Sequence, residues 1–250
     1  GADVVVHNDV LQHPEPGRGG RSLHDVNVVG TLQLLAACEA LPRLHTLVVR
    51  GSAAIYGSEA AAPSFFTEEL AGRFPPRTRF QRDVAELEGL VAGFARRHPG
   101  VTCTVLRLQP VVGAGVDTAV NRLLRLPVVP TVLGFDPRIQ LLDAEDSVGA
   151  LARAVHRPVA GAVNVAAPDV ISLTRALRRL RRPALPVAWP LYAQVAGLER
   201  RLAGLPPLPD EVHRYMRFGR GVDTERMARE LGFVPRWTTM EALERAVRAA

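Results

Sequence analysis

Apolar residues follow two different periods along this chain, and the switches between them outline its elements. Val4-Val5-Val6-His7 and Leu44–Arg50 are short continuous apolar runs, the pattern of parallel strands buried on both faces. Between them, a polar loop rich in Gly and Pro, Asn8–Arg21, leads into Val26, Val29, Leu32, Leu35 and Ala36 at helical spacing. That spacing predicts a helix from about Leu23 to Ala40. An irregular segment with Pro63, Pro75 and Pro76 covers 58–79. Val84, Leu87, Val91 and Phe94 then predict a helix over Phe80–Arg97, stopped before Pro99-Gly100, and Val101–Leu108 predicts another strand. Crossovers of helix length between buried strands make the sheet parallel and the class α/β.

Beyond Gly113 the pattern is less regular. It predicts a helix at Thr118–Leu126, a short strand near Ile139–Leu142, a helix at Asp146–Val155, a strand at Ala162–Val165 and a terminal helix at about Met240–Ala249. Proline-rich connectors at 183–190 and 205–209 interrupt this half, and no internal repeat is evident.

With 250 residues, 47% hydrophobic and 22% charged, the chain is long enough and apolar enough to bury a core, which excludes a disordered chain. All 31 basic residues are arginine, a bias that a GC-rich bacterial genome would write. The net charge of +6 raises the question of nucleic acid. One dense run exists, Arg175, Arg178, Arg179, Arg181 and Arg182, interleaved with Ala176, Leu177 and Leu180. No aromatic platform accompanies it, so it reads as the solvated face of an amphipathic helix, and no nucleic-acid partner is expected. Cys38 and Cys103 fall in apolar patterns and read as buried free thiols of a reducing cytoplasm, with one disulfide as the alternative. Ala184–Leu198 is apolar but broken by Pro186 and Pro190, so no membrane anchor is expected. The chain starts inside a strand pattern without an initiating methionine, and is read as a fragment.

Six short motifs recur in a meaningful order. They are the strand Asp3-Val4-Val5-Val6-His7, then Asn27-Val28-Val29-Gly30-Thr31, Ser52-Ala53-Ala54-Ile55-Tyr56-Gly57 and Val105-Leu106-Arg107. Arg138-Ile139-Gln140-Leu141-Leu142-Asp143 through Asp146, and Gly161-Ala162-Val163-Asn164-Val165-Ala166, complete the set. From Gly1 to about Trp237 this order resembles the extended short-chain dehydrogenase/reductases, the NAD-dependent epimerase/dehydratase family, nearest in pattern to UDP-sugar 4-epimerases. The resemblance implies a Rossmann-type, doubly wound parallel sheet, truncated at its N-terminus, with a smaller C-terminal substrate-binding part. Residues 1–113 would be the C-terminal portion of the NAD(P)-binding domain. Residues 114–250 would be a mixed substrate-binding region, with segments around 139–166 returning to the main sheet.

It further implies NAD or NADP as cofactor, a nucleotide-sugar or other small substrate, a cytoplasmic location, and a homodimer through the helix that begins at Phe80. Val84, Leu87 and Val91 permit that contact, although core packing uses the same pattern. The family's Gly-x-x-Gly-x-x-Gly turn, which precedes the His7 strand, is not in the chain. Gly17-Arg18-Gly19-Gly20 is no substitute, because it lies in a loop and does not follow a strand.

By the same resemblance, Ser52 supplies the accessory hydroxyl, His7, Asn27 and Ser52 lie at the cofactor, and Arg107 and Arg138 meet the substrate's diphosphate. The family also needs a tyrosinate, whose pKa of about 10 a neighbouring lysine ammonium lowers. Where Tyr-x-x-x-Lys belongs, the chain has Phe80-Gln81-Arg82-Asp83-Val84, and no lysine exists to replace the one missing. One absent acid/base group typically costs roughly 10²–10⁴-fold in rate. Tyr56, Tyr192 and Tyr215 are the only tyrosines, and none has a lysine four residues on. Pro110-Val111-Val112-Gly113 also lacks the asparagine that the family commonly shows there. The expectation is an epimerase-like protein with impaired or atypical catalysis. An oxidoreductase with another proton path, through Arg79, Arg82 or Asp83, and a non-catalytic dinucleotide- or ligand-binding module remain as alternatives. No Cys/His cluster suggests a metal.

Overall fold

The apolar runs of the N-terminal half lie side by side as parallel strands. The computed structural model describes residues 2–12, 22–113, 116–124, 126–202, 204 and 208–248; the glycines at 17–20 and Ala249 lie outside them. In chain order the strands are β1 (Val4–His7), β2 (Thr46–Ser52), β3 (Thr102–Leu108), β4 (Val111–Val112), β5 (Val129–Val132), β6 (Arg138–Ile139), β7 (Leu142–Asp143), β8 (Gly161–Val165), β9 (Ile171–Ser172) and β10 (Ala184–Val187). The helices are α1 (Gly30–Glu39), α2 (Arg79–Arg97), α3 (Ala119–Leu124), α4 (Ala144–His156), α5 (Leu173–Arg179), α6 (Trp189–Leu202), α7 (Asp210–Phe218) and α8 (Thr239–Arg248).

β1, β2, β3 and β8 pair in that order, all parallel, with Val4 opposite Thr46, Thr46 opposite Thr102 and Thr104 opposite Gly161. Alternation sends Leu47, Val49, Cys103 and Val105 to one face, where they pack with residues of α1 and α2. Val48, Leu106, Val163 and Val165 go to the other, against α4. Helices on both faces make the sheet doubly wound, as expected. A separate core in the C-terminal half gathers Val129, Ile139, Leu141, Tyr192, Tyr215 and Leu243. Of the stretch expected to rejoin the main sheet, 161–165 does so. Residues 138–143 pair instead in two small ladders, β6 with β9 and β7 with β4.

β2 runs two residues further than the apolar pattern predicts, because Gly51 and Ser52 continue the ladder opposite Arg107 and Leu108. Gly51 is needed there: a Cβ would stand 2.8 Å from the Val105 Cγ1. The predicted helix from Leu23 begins with a π-helical turn, Asp25–Val29, that leads into α1. Cys38 and Cys103 are free thiols, both buried, and burial raises the pKa of each. Val84, Leu87 and Val91 are 0%, 0% and 2% exposed within the chain's own core, so they are not the surface of a dimer. Among the described residues no helix is long and apolar enough to cross a membrane.

The two halves are laced by one extended segment, Gly219–Val222. The Arg220 N–H donates to the Arg138 carbonyl (3.2 Å) and the Phe66 N–H to the Gly221 carbonyl (2.9 Å). Gly219 has φ +70, and a Cβ on it would overlap the Arg138 carbonyl oxygen. Gly219→Ala therefore combines a left-handed backbone with a clash, and should cost at least about 2 kcal/mol in urea unfolding.

Candidate functional site

Open α/β sheets offer ligands the space beyond the carboxyl ends of their strands. Here a cavity of about 340 Å³ opens at the ends of β1, β2 and β3. Its wall takes Val10 and Leu11 after β1, Arg50, Gly51 and Ser52 from β2, and Leu108, Gln109, Pro110 and Val111 from the end of β3 onward. Phe80 from the first turn of α2, Asp117, Thr118 and Arg220 also line it.

Ser52 is half-buried at the strand end. Its Oγ accepts the Ala54 N–H (3.1 Å) and so caps the 3₁₀ turn Ala53–Tyr56. Phe80 is aimed by a capping box. The Thr78 Oγ1 accepts the Gln81 N–H (3.2 Å), while the Gln81 Oε1 accepts the N–H groups of Thr78 (3.2 Å) and Arg77 (2.9 Å). The phenyl ring lines the cavity together with Ser52. One turn further, Val84 is fully buried and packs in the same cluster as Leu87 and Phe94. The ionisable side chains at the wall, among the described residues, are Arg50, Asp117 and Arg220.

Tyr56 does not line this cavity. Its hydroxyl donates to the Asn164 Oδ1 (2.6 Å) and accepts from the Arg107 Nη1 (2.8 Å), and burial pushes its pKa up to about 12. Tyr215 is also buried, with a pKa raised to about 12, and lies in the C-terminal core. Arg79, Arg82 and Asp83 open into a different hollow with Ser22 and His24, whose Nδ1 lies 3.0 Å from the Asp83 carboxylate. Hydrogen bonding to that carboxylate raises the pKa of His24.

Three expected contacts are relocated. Arg107 faces inward beneath α2, where the Glu88 carboxylate takes its Nε (3.0 Å) and Nη2 (2.7 Å) and the Glu68 carbonyl takes its Nη1 (2.8 Å). It braces the core and does not line the cavity. His7 is turned into the fold: its Nε2 donates to the Thr31 Oγ1 (2.8 Å), which itself donates to the Asn27 carbonyl (2.6 Å). Burial lowers the His7 pKa and favours the neutral ring. Asn27, fully buried, grips the backbone of Leu11 at both ends, accepting its N–H (2.7 Å) and donating to its carbonyl (2.9 Å). It acts on the cavity through Leu11.

Arg138 is exposed and donates to the Ser64 Oγ (2.9 Å). It lines a second cavity of about 310 Å³, shared with Phe135, Arg217, Phe218 and Arg220. Arg220 thus borders both cavities. Buried on all sides, it donates to the Glu211 carboxylate (2.7 Å), the Gln109 Oε1 (3.3 Å) and the Gly57 carbonyl (3.4 Å). Burial raises the pKa of Glu211, whose other partner is the Thr78 hydroxyl (3.4 Å). Sequence reading overlooked Arg220; an arginine between two glycines in Gly219-Arg220-Gly221 is the available signal. Among the described residues no group of three or more His, Cys, Asp or Glu side chains is placed to hold a metal ion.

Arg220→Met removes the charge that offsets the burial of Glu211, so the carboxyl should titrate higher still. A raised folded pKa gives stability that is present below the unfolded value, about 4.3, and lost as pH rises through the folded one. The variant should lose about 3–5 kcal/mol near neutral pH and recover part of that loss towards pH 5, as read from urea unfolding across pH.

Comparison with known proteins sets these cavities in context. Residues 1–166 match the NAD dependent epimerase/dehydratase family. A Mycobacterium tuberculosis protein, Uncharacterized protein Rv0501, is 37% identical over 246 residues, covering 97% of this chain. The chain spans 64% of that relative's length. Among solved structures, the UDP-glucuronic acid 4-epimerase from Bacillus cereus in complex with NAD superposes with a TM-score of 0.69 at 16% identity, over 99% of this chain and 74% of that one. RMD from Pseudomonas aeruginosa, complexed with NADPH, gives 0.70 at 19% identity, over 99% and 81%. A UDP-galactose 4-epimerase gives 0.68 at 22% identity, over 100% and 77%. At these identities the structural likeness establishes the fold.

Proposed function

The chain belongs to the NAD-dependent epimerase/dehydratase family, and from that premise we propose that it binds a nicotinamide dinucleotide and a nucleotide-linked sugar while lacking the family's standard proton transfer. The observation that carries this reading is the pairing of Ser52 with Phe80 on one cavity wall while Val84 lies fully buried. The hydroxyl that would hydrogen-bond a reacting sugar oxygen is retained. The group that would exchange a proton with that oxygen is a phenyl ring.

The wall suits the nicotinamide end of NAD or NADP in part. Val10, Leu11, Leu108 and Pro110 offer apolar surface to a flat ring, and the Ser52 hydroxyl lies at its edge. No ammonium stands at position 84 to take the ribose hydroxyls. The chemistry that the family draws from the bound dinucleotide is hydride exchange with a sugar carbinol. Such an exchange also needs a partner for the hydroxyl proton, and Tyr56, with its pKa near 12, is no such partner at neutral pH. Arg138 and Arg217 at the second cavity support a diphosphate-bearing substrate, since planar guanidinium groups bind phosphate oxygens in pairs. Self-association, if the family pattern holds, would use the outer faces of α1 and α2, where Leu32 is 53% exposed.

Titration calorimetry on the full protein should show binding of NAD or NADP and of UDP-glucose. Interconversion of UDP-glucose and UDP-galactose should run at least about 10²-fold below that of an active family member. Phe80→Tyr, at the cavity edge, should leave the fold intact. Val84→Lys alone should lower the melting temperature, because it buries an ammonium. The double variant gaining turnover supports a decayed enzyme, while binding without any gain supports a ligand-binding module. Wild-type turnover at an ordinary enzyme rate, about 1–10³ s⁻¹, would overturn the proposal.

A further inference from the structure

The hollow beside Arg79 and Arg82 has walls that the proposed reaction leaves unused. It encloses about 520 Å³, against about 340 and 310 Å³ for the two cavities above. It opens between the segment 22–24 and the first turn of α2, and shares no described lining residue with either cavity. Among the described residues Ser22, Leu23, His24, Arg79, Arg82 and Asp83 line it. Arg79 and Arg82 are exposed and three positions apart on α2, so they stand on one flank of its first turn. Phe80, next to Arg79 in the chain, faces the cleft beyond the strands instead.

The side chains of this hollow are arranged for charge. Asp83 is buried, and its carboxylate lies 3.0 Å from the Nδ1 of the exposed His24. That hydrogen bond is the largest influence on the ring and raises its pKa. The charges of Asp83, Glu86 and Asp25 act in the same direction, and of these only Asp83 lines the hollow. A protonated imidazole donates from both nitrogens, so with Nδ1 spent on Asp83 the Nε2 remains for a ligand. The proton on His24 offsets the charge of Asp83, which leaves two guanidinium groups in excess at the wall. Helix stability does not call for them. The positive end of a helix dipole disfavours cations, and the first turn of α2 contains no acidic residue. Thr78 already caps that end, so the pull on an anion comes from the side chains.

One guanidinium suffices for the two oxygens of a carboxylate, whereas a phosphoryl group brings three acceptor oxygens and up to two charges. Two guanidinium groups and one imidazolium match that larger set. We propose that this hollow binds a phosphoryl group, as free phosphate or as the head of a small phosphate ester. Arg79 and Arg82 take its oxygens, His24 donates through Nε2, and Asp83 holds the ring. The site is separate from the second cavity, where Arg138 and Arg217 support the diphosphate-bearing substrate.

Titration calorimetry on the full protein should show saturable binding of glucose 6-phosphate with a Kd at or below about 1 mM. Arg79→Gln with Arg82→Gln, both on an exposed flank, should weaken it by about tenfold or more. Arg138→Gln, at the second cavity, should leave it unchanged. Inorganic phosphate is the second probe: weaker binding than that of the ester identifies an ester as the occupant, and equal binding identifies phosphate itself. Over about pH 5 to 8, where histidine changes charge, sulfate keeps its own and should bind more tightly as pH falls through the raised His24 pKa. His24→Gln should remove that dependence. Circular dichroism checks that each variant is folded, and if the arginine pair is not, the His24 variant decides the matter. Binding that does not saturate, or that is lost in Arg138→Gln and kept in the arginine pair, would overturn the proposal. So would an unchanged pH dependence in His24→Gln.

Discussion

Arg220 and Glu211 are placed where neither charge meets water, their side chains 2% and 3% exposed, and the walls of both cavities hang on them. Removing two charges from water costs several kcal/mol for each ion, and their attraction offsets this only when the remaining donors and acceptors are also used. Here they are. The guanidinium reaches Gln109 after β3 and the carbonyl of Gly57 after β2, and the carboxylate reaches Thr78, the cap of α2. Three edges of the cleft beyond β1, β2 and β3 are thus tied to one pair contributed by the C-terminal half. An apolar pair of equal volume could match its stability. It could not hold three separate backbone turns in one register.

Much of the fold was legible because burial on both faces leaves a mark in every strand of a parallel sheet. Leu47, Val48 and Val49 need no tertiary information to be read as a strand core. The end of β2 was misjudged because Gly51 and Ser52 are neither apolar nor β-branched, and only the neighbouring strand shows why a glycine must be there. The surroundings of Arg107 were hidden for a related reason. Parity places it on the face of Val105 and Cys103, towards α2, but its partner Glu88 is remote in sequence and only the fold brings the two together. His7 and Asn27 lie in recognisable motifs, yet their polar atoms are spent on Thr31 and Leu11. Arg220 escaped notice because its environment is assembled from four separate segments.

Phe80 and Val84 also decide how the start of α2 packs. A lysine at a fully buried position carries a desolvation cost that its ligand must offset, so an active site of this type is held under tension. Valine at 84 joins the cluster of Leu87, Val91 and Phe94, and phenylalanine at 80 continues that packing to the cavity edge. The start of α2 is thereby packed without a buried charge. Ser52 keeps its place for a structural reason as well, since its hydroxyl caps the turn leading to Tyr56.

The grip of Asn27 on Leu11 bears on how anything enters this cleft. With both backbone groups of Leu11 already bonded, that point of the cavity wall gives up its conformational freedom when the protein folds and not when a ligand arrives. Occupancy of that wall should therefore be governed by shape and desolvation, with little ordering left to do.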